Sequence, residues 1–124
     1  MAATILIAGA LLAQAAASIV TVEGGADRVD VGYEELRDGR PDAAIEQIKG
    51  NKALEAGDPA ALINLGTAYA RLGRKADAHA AYATAILSNE RYDLQLADGR
   101  WFDTRDAARL AIHYLEDNRT LALR

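Results

Sequence analysis

The chain has no cysteine among its 124 residues. That excludes disulfides, thiolate metal ligands, a thiol nucleophile and a lipidated N-terminal cysteine. It leaves the compartment open, because exported proteins also do without cysteine. Histidine is nearly as scarce, with His79 and His113 the only two. Neither has a second His or a Cys at ligand spacing, and no Ser-His-Asp order suggests a triad. His79 lies between Ala78 and Ala80, where an exposed helix position is expected. Gly24-Gly25 lacks the Lys-Ser/Thr that completes a phosphate-binding loop. The expectation is no metal, no cofactor and no catalytic residue: a chain that is not an enzyme.

Basic residues are the minority. Fourteen Lys and Arg face eighteen Asp and Glu, for a net charge of −4. With no Lys/Arg run, a nucleic-acid surface is not expected. Acidic groups such as Glu34-Glu35 read as a solvated helix face. Aromatics are sparse as well: Trp101, Phe102 and five tyrosines make 6% of the chain. Hydrophobic residues still reach 51%, much of it alanine. Alanine has the best helix propensity and lets backbones approach closely, so close-packed helices are expected in one domain.

No charged side chain occurs from Met1 to Val22. Residues 4–13 form an apolar run, followed by small residues at Ala13-Gln14-Ala15 and Ala15-Ala16-Ala17. This has the form of a secretory signal with cleavage near 15–18, except that no Lys or Arg precedes the run. Residues 1–17 are therefore read as a signal peptide and 18–26, with Gly24-Gly25, as a linker. Two alternatives stay open. Residues 1–22 are just long enough to remain as a membrane anchor. They also suit an Ala-rich helix packed on the helical domain downstream.

What is present in compensation is an internal repeat. At an offset of 34 residues Gly32 matches Gly66, Arg37 matches Arg71, Gly39-Arg40 matches Gly73-Arg74, and Ala44 matches Ala78. Ile48 answers to Tyr82, large for large. An offset in the mid-thirties is the length of one helix–turn–helix unit, which buries its apolar face only by stacking. The first unit covers about 25–58. Its first helix is expected to carry Val29, Val31, Gly32 and Leu36, and its second Ala43, Ala44, Ile45 and Ile48. Pro41 sits at a first helical position, Gly50-Asn51 interrupts or ends that helix, and 52–56 can add a turn. The second unit covers 59–92. Asp58 caps it and Pro59 begins it. Leu62, Leu65, Ala68, Tyr69 and Leu72 share a face, Gly73 stops the helix, and a second helix runs from about Lys75 to Ser88. Ala78, Ala81, Tyr82, Ala85 and Ile86 line its buried stripe.

The period then fails, since the counterparts of Gly66 and Ala78 would be Arg100 and Ile112. Tyr92, Leu94 and Leu96 alternate with polar residues, and Asp98-Gly99 is a two-residue turn signal. A short β-hairpin over 92–103 is expected, with Leu96 opposite Trp101. A capping helix over 104–118 follows, with Thr104 as its N-cap, Asn118 at its end and 119–124 as a tail. Ala107, Leu110, Ala111, Tyr114 and Leu115 form its apolar face.

The stretch PAALINLGTAYARLGRKADAHAAYATAILSNERY, residues 59–92, resembles a tetratricopeptide repeat. Leu62, Asn64-Leu65-Gly66, Ala68-Tyr69, Gly73, Ala78, Tyr82, Ala85 and Ile86 carry the resemblance. Leu62 stands where the family often has Trp, and Glu90 where it usually has Pro. Residues 25–58 are a divergent copy, with Glu35 and Asn51 standing where the second copy has Tyr69 and Ala85. The resemblance implies a mainly all-α fold of about two helical hairpins. It also implies a protein or peptide partner held in a concave groove lined by the first helix of each unit. Groove candidates on this implication are Asp30, Tyr33 and Arg37, then Asn64, Thr67 and Arg71. Arg37 and Arg71 are equivalent by offset, so together they could hold a carboxylate, or simply be solvated arginines near helix ends. Of the family's carboxylate-binding set only Asn64 has a counterpart, so that activity is not expected.

Trp101, with Arg100 and Asp98, is either a recognition element or packed on Leu94 and Leu96 against the capping helix. The scarcity of aromatics favours packing. The favoured function is an exported, periplasmic interaction module, with roles in envelope, pilus or secretion assembly implied by the family. The alternative is an inner-membrane-tethered structural subunit of such an assembly, with membrane contact only through 1–22; of lower weight is an enzyme of unknown type, which would need a convergent set of titratable groups in a pocket.

Overall fold

The computed structural model describes residues 31–96 and 98–122, with side chains up to Asp117. The signal or anchor reading of 1–22, the linker, Val29 and Asp30 lie outside the described residues. The described chain is mainly helical with one small antiparallel sheet. Its elements are α1 (Tyr33–Arg37), α2 (Pro41–Lys49), α3 (Lys52–Glu55), α4 (Pro59–Arg71), α5 (Lys75–Leu87), β1 (Asp93–Gln95), β2 (Trp101–Asp103) and α6 (Thr104–Ala122). Among the described residues no helix is long and apolar enough to cross a membrane.

The two prolines act as starters. Pro41 and Pro59 sit at the beginnings of α2 and α4, where a missing N–H costs no helical bond. Asp58 caps α4 by accepting from the Ala60 N–H at 3.3 Å. The turns α1–α2 and α4–α5 are built alike. Gly39 and Gly73 take positive φ of 75° and 76°. Past each glycine an N–H reaches back over the helix end, Arg40 to the Glu35 carbonyl (2.8 Å) and Arg74 to that of Tyr69 (2.9 Å). This closure satisfies carbonyls the helix would otherwise leave open.

Side-chain packing repeats with the turns. A Cβ on Gly66 would stand 2.5–2.6 Å from the Tyr82 ring, and one on Gly32 2.9 Å from Ile48 Cδ1. The matched pairs of the sequence offset thus meet in space. Gly32 differs in backbone, however. It has φ 78° and precedes α1 rather than lying in it, as does Val31. A helical residue needs negative φ, so the expected helix through Val31 and Gly32 is shortened to five residues.

Helix α4 is the centre. Every residue from Pro59 to Tyr69 is buried, packed by α2, α5 and α6. Ala78, Ala81, Tyr82 and Ala85 of α5 are buried against it, and Ala107, Ala108 and Ala111 of α6 complete the core. Leu72 does not share the face of Leu62 and Leu65. It follows the helix as its C-cap and is exposed.

The C-terminal part departs from expectation in three details. The register pairs Gln95 with Trp101 and Leu94 with Phe102, so Leu96 lies one place away from Trp101's partner and bonds Arg100 instead (Leu96 N–H to Arg100 carbonyl, 2.8 Å). The loop is thus three residues, closed by the Gly99 N–H on the Leu96 carbonyl at 2.9 Å, the next commonest hairpin form. The cap of α6 is Asp103, whose Oδ1 accepts the Arg105 N–H at 2.9 Å, while the Thr104 hydroxyl is buried without a partner. Helix α6 also continues past Asn118 to Ala122, because asparagine is only mildly unfavourable in a helix and no Gly or Pro follows.

The Gly66 contact is open to test. Gly66→Ala should lower stability by about 1–3 kcal/mol, since the Tyr82 ring must move to admit a methyl group. Urea denaturation measures it. An unchanged or raised midpoint would show that the ring does not lie on Gly66.

Candidate functional site

Of the residues singled out from sequence, Asp30 lies outside the described residues. Asn64 and Thr67 are fully buried. Asn64 donates from Nδ2 to the Val31 carbonyl at 3.0 Å, which ties the chain entering α1 to the central helix. The Thr67 hydroxyl lies 3.0 Å from the Tyr82 hydroxyl. Both are internal fasteners, and neither is offered to a groove. The signal stands in the sequence: from Pro59 to Ala70 there is no charged side chain. A helix without a polar face is a buried one.

Arg37 and Arg71 do not act as a pair. Arg71 is half-buried and donates from Nη1 to the Leu36 carbonyl, across the junction between α4 and α1. Burial lowers its pKa. Arg37 is exposed and engages Glu34, with Asp38 3.7 Å away. The offset makes the two equivalent in sequence, but only Arg71 has the end of α1 within reach. Tyr33 is half-buried at the start of α1.

Trp101 stands out in the other direction. It is 68% exposed, so it does not pack on Leu94 and Leu96, which are buried without it. Side chains alternate across a strand. Leu94 and Phe102, paired across the hairpin, therefore face inward with Leu96, while Asp93, Gln95, Trp101 and Asp103 form the outward face. Comparison with protein-family models, curated protein sequences and solved structures finds no match.

The hairpin is held as a fixed platform. Its base is fastened by the Thr104 N–H on the Tyr92 carbonyl at 2.9 Å, and the Tyr92 hydroxyl donates to Asp58. The Ser88 hydroxyl donates to the Gly57 carbonyl at 2.6 Å. At the tip, Asp98 accepts from the Arg100 N–H (3.0 Å) and Nε (2.7 Å), and the backbone N–H foremost holds its carboxyl below the usual range. Gln95 donates to the Gly99 carbonyl at 2.9 Å. On the outward face Arg91 donates to Asp103 Oδ2 at 2.7 Å and keeps that carboxyl ionised to lower pH than usual.

A depression lies between α5 and α6. It is an open groove of about 530 Å³ lined by Lys75, Ala76, His79, Leu115 and Glu116. His79 is exposed there, as its sequence position suggests. Among the described residues no group of three or more His, Cys, Asp or Glu is disposed to hold a metal ion.

Thr67 and Tyr82 give a measurable consequence. Burial pushes the Tyr82 hydroxyl up to about 12, with the Thr67 bond and the Arg71 charge opposing it. The folded state thus keeps a proton that the unfolded state releases near pH 10. Stability from this group is complete below pH 10 and lost as pH rises through about 12, a fall of about 2–3 kcal/mol. Tyr82→Phe should cost about 1 kcal/mol at neutral pH from the lost bond. Between pH 10 and 12 it should gain on the native protein. Urea titrations across that range would show no relative gain if Tyr82 ionised like an exposed tyrosine.

Proposed function

We propose that this chain is a non-catalytic protein-interaction module built on tetratricopeptide-like helical units, and that it docks its partner on the outward face of the β1–β2 hairpin. The observation that carries this reading is the exposure of its one tryptophan. Every other described apolar side chain of the hairpin is turned in or partly covered, and the ring left in water is the type most often found as a binding anchor. Burying it on a partner is worth a few kcal/mol. The rigid platform beneath it means little ordering cost on binding.

The recurrence of Gly32 with Ile48 and Gly66 with Tyr82, and of the Gly39 and Gly73 turns, supports the two-unit reading of the scaffold. The groove of such a scaffold would be expected to bind through first-helix side chains. Here Asn64 and Thr67 are consumed internally, which favours the hairpin over the groove.

Placing a photo-crosslinking residue at position 95, directly across the hairpin from Trp101, in the native cells tests the surface with the ring kept. Adducts should map to one recurring segment of one partner, whereas the same residue at Arg37 should give none. With that partner purified, Trp101→Ala should weaken binding at least tenfold without shifting the melting temperature, as for an anchor residue. Adducts from position 37 and none from 95 would return the site to the helical groove.

The export reading rests on residues 1–17. Mass spectrometry of the protein from its native cells should find a mature N-terminus near 15–18. An intact N-terminus retained through Val22 would favour the tethered subunit instead.

A further inference from the structure

If the hairpin face is the docking surface, its charge and its ring also indicate what it holds. We propose that it takes a Lys or Arg side chain carried on an extended partner segment, with the cation over the Trp101 indole and Asp93 and Asp103 as its counter-charges.

Three observations converge on this. The first is a like-charge pair. Asp93 and Asp103 are directly opposite each other across the hairpin. Opposed residues stand about 5 Å apart at Cβ, and like charges there destabilise a sheet. Arg91 relieves one side by bonding Asp103, whose other oxygen caps α6. Asp93 is left without an ion pair among the described residues and feels Arg91 only at longer range. An incoming cation would stabilise this carboxylate and ease its repulsion with Asp103.

The second is the treatment of two other rings. Tyr69 has the Arg74 guanidinium 4.6 Å from its centroid and the Lys49 ammonium at 5.7 Å. Phe102 has Arg100 at 5.2 Å. Trp101 offers the strongest π-face of the three, and among the described residues no cation of this chain lies over it.

The third is spacing. Trp101 and Asp103 are two apart on β2, about 7 Å along one face. A long, flexible cationic side chain can lie along the indole and set its head between the ring and the carboxylates. An anionic partner would meet Asp93 unfavourably, and a purely apolar one would cover that charge without pairing it. A metal ion is a poor fit, since Asp103 already spends both oxygens on Arg91 and Arg105.

Because Trp101 is the sole tryptophan, the intact protein reports on this face by its own fluorescence. The probes are ten-residue peptides alternating Lys with Val, Ser with Val, and Glu with Val. The Lys peptide should give a saturable change that weakens as salt is raised, and the Ser and Glu peptides should give none. Asp93→Asn should weaken the Lys peptide about fivefold, with melting unlowered or slightly raised because its repulsion with Asp103 is removed. Asp42→Asn, an exposed acid on α2, should leave it unaltered. Equal binding of the Ser or Glu peptide, no saturable change, or equal loss in the two Asn variants would overturn the proposal. The crosslinks separate this from the broader reading. Adducts at 95 on a segment lacking Lys and Arg defeat the cation site alone, and absence of adducts at 95 defeats the docking face itself.

Discussion

The ring of Tyr82 rests on the bare backbone of Gly66, and most of the molecule is arranged around that contact. The missing side chain at Gly66 lets α5 approach α4 closely enough for alanines at 78, 81 and 85 to fill the interface. A ring buried this deeply brings a hydroxyl with it, and an unpaired hydroxyl in a core is costly. Thr67, the next residue on α4, receives it. One turn of one helix therefore supplies both the space and the polar partner. The same packing in the first unit uses Ile48 on Gly32, where no hydroxyl has to be satisfied.

Once α4 is gripped in this way, its remaining polar groups are drawn inward too. Asn64 holds the Val31 carbonyl and Arg71 holds that of Leu36, so the central helix fastens α1 and the chain entering it through backbone acceptors. Helix α6 closes the other side with Ala107, Ala108 and Ala111. A helix enclosed on all sides has nothing left to present. Exposed side chains are left to the outer helices and to the hairpin.

The parts of the fold set by local chemistry were legible in the sequence. Proline after a polar residue at 41 and 59, glycine at 39 and 73, and the pairing of Gly32 with Ile48 and Gly66 with Tyr82 all describe short-range or pairwise steric demands, and each is met. The candidate site was far less legible. Arg37 and Arg71 look identical on the offset, yet their environments differ because one unit has the other's helix end beside it. Asn64 and Thr67 have the side chains of a binding groove, but the uncharged run around them, from Pro59 to Ala70, signals burial more strongly. The hairpin register turned on a single residue of loop length. Asp98-Gly99 permits a two-residue or a three-residue closure, and the slip between them decides which neighbours Trp101 meets.

That slip decides which face carries the tryptophan. In a two-residue hairpin Leu96 would sit opposite Trp101, on the same side of the sheet, and the indole would be carried with it toward the core. The three-residue loop shifts the pairing by one, and because side chains alternate, a shift of one residue exchanges faces. Leu94, Leu96 and Phe102 then fill the inside, and Trp101 is turned to water beside Asp93 and Asp103. The bonds at the tip, Arg100 to Asp98 and Gln95 to Gly99, hold that longer closure in place. The exposure of the tryptophan is thus a product of the hairpin's own geometry. It arises from the same hydrogen bonds that make the loop rigid, so display of the ring and stiffness of its support are one property of the sequence from Gln95 to Trp101.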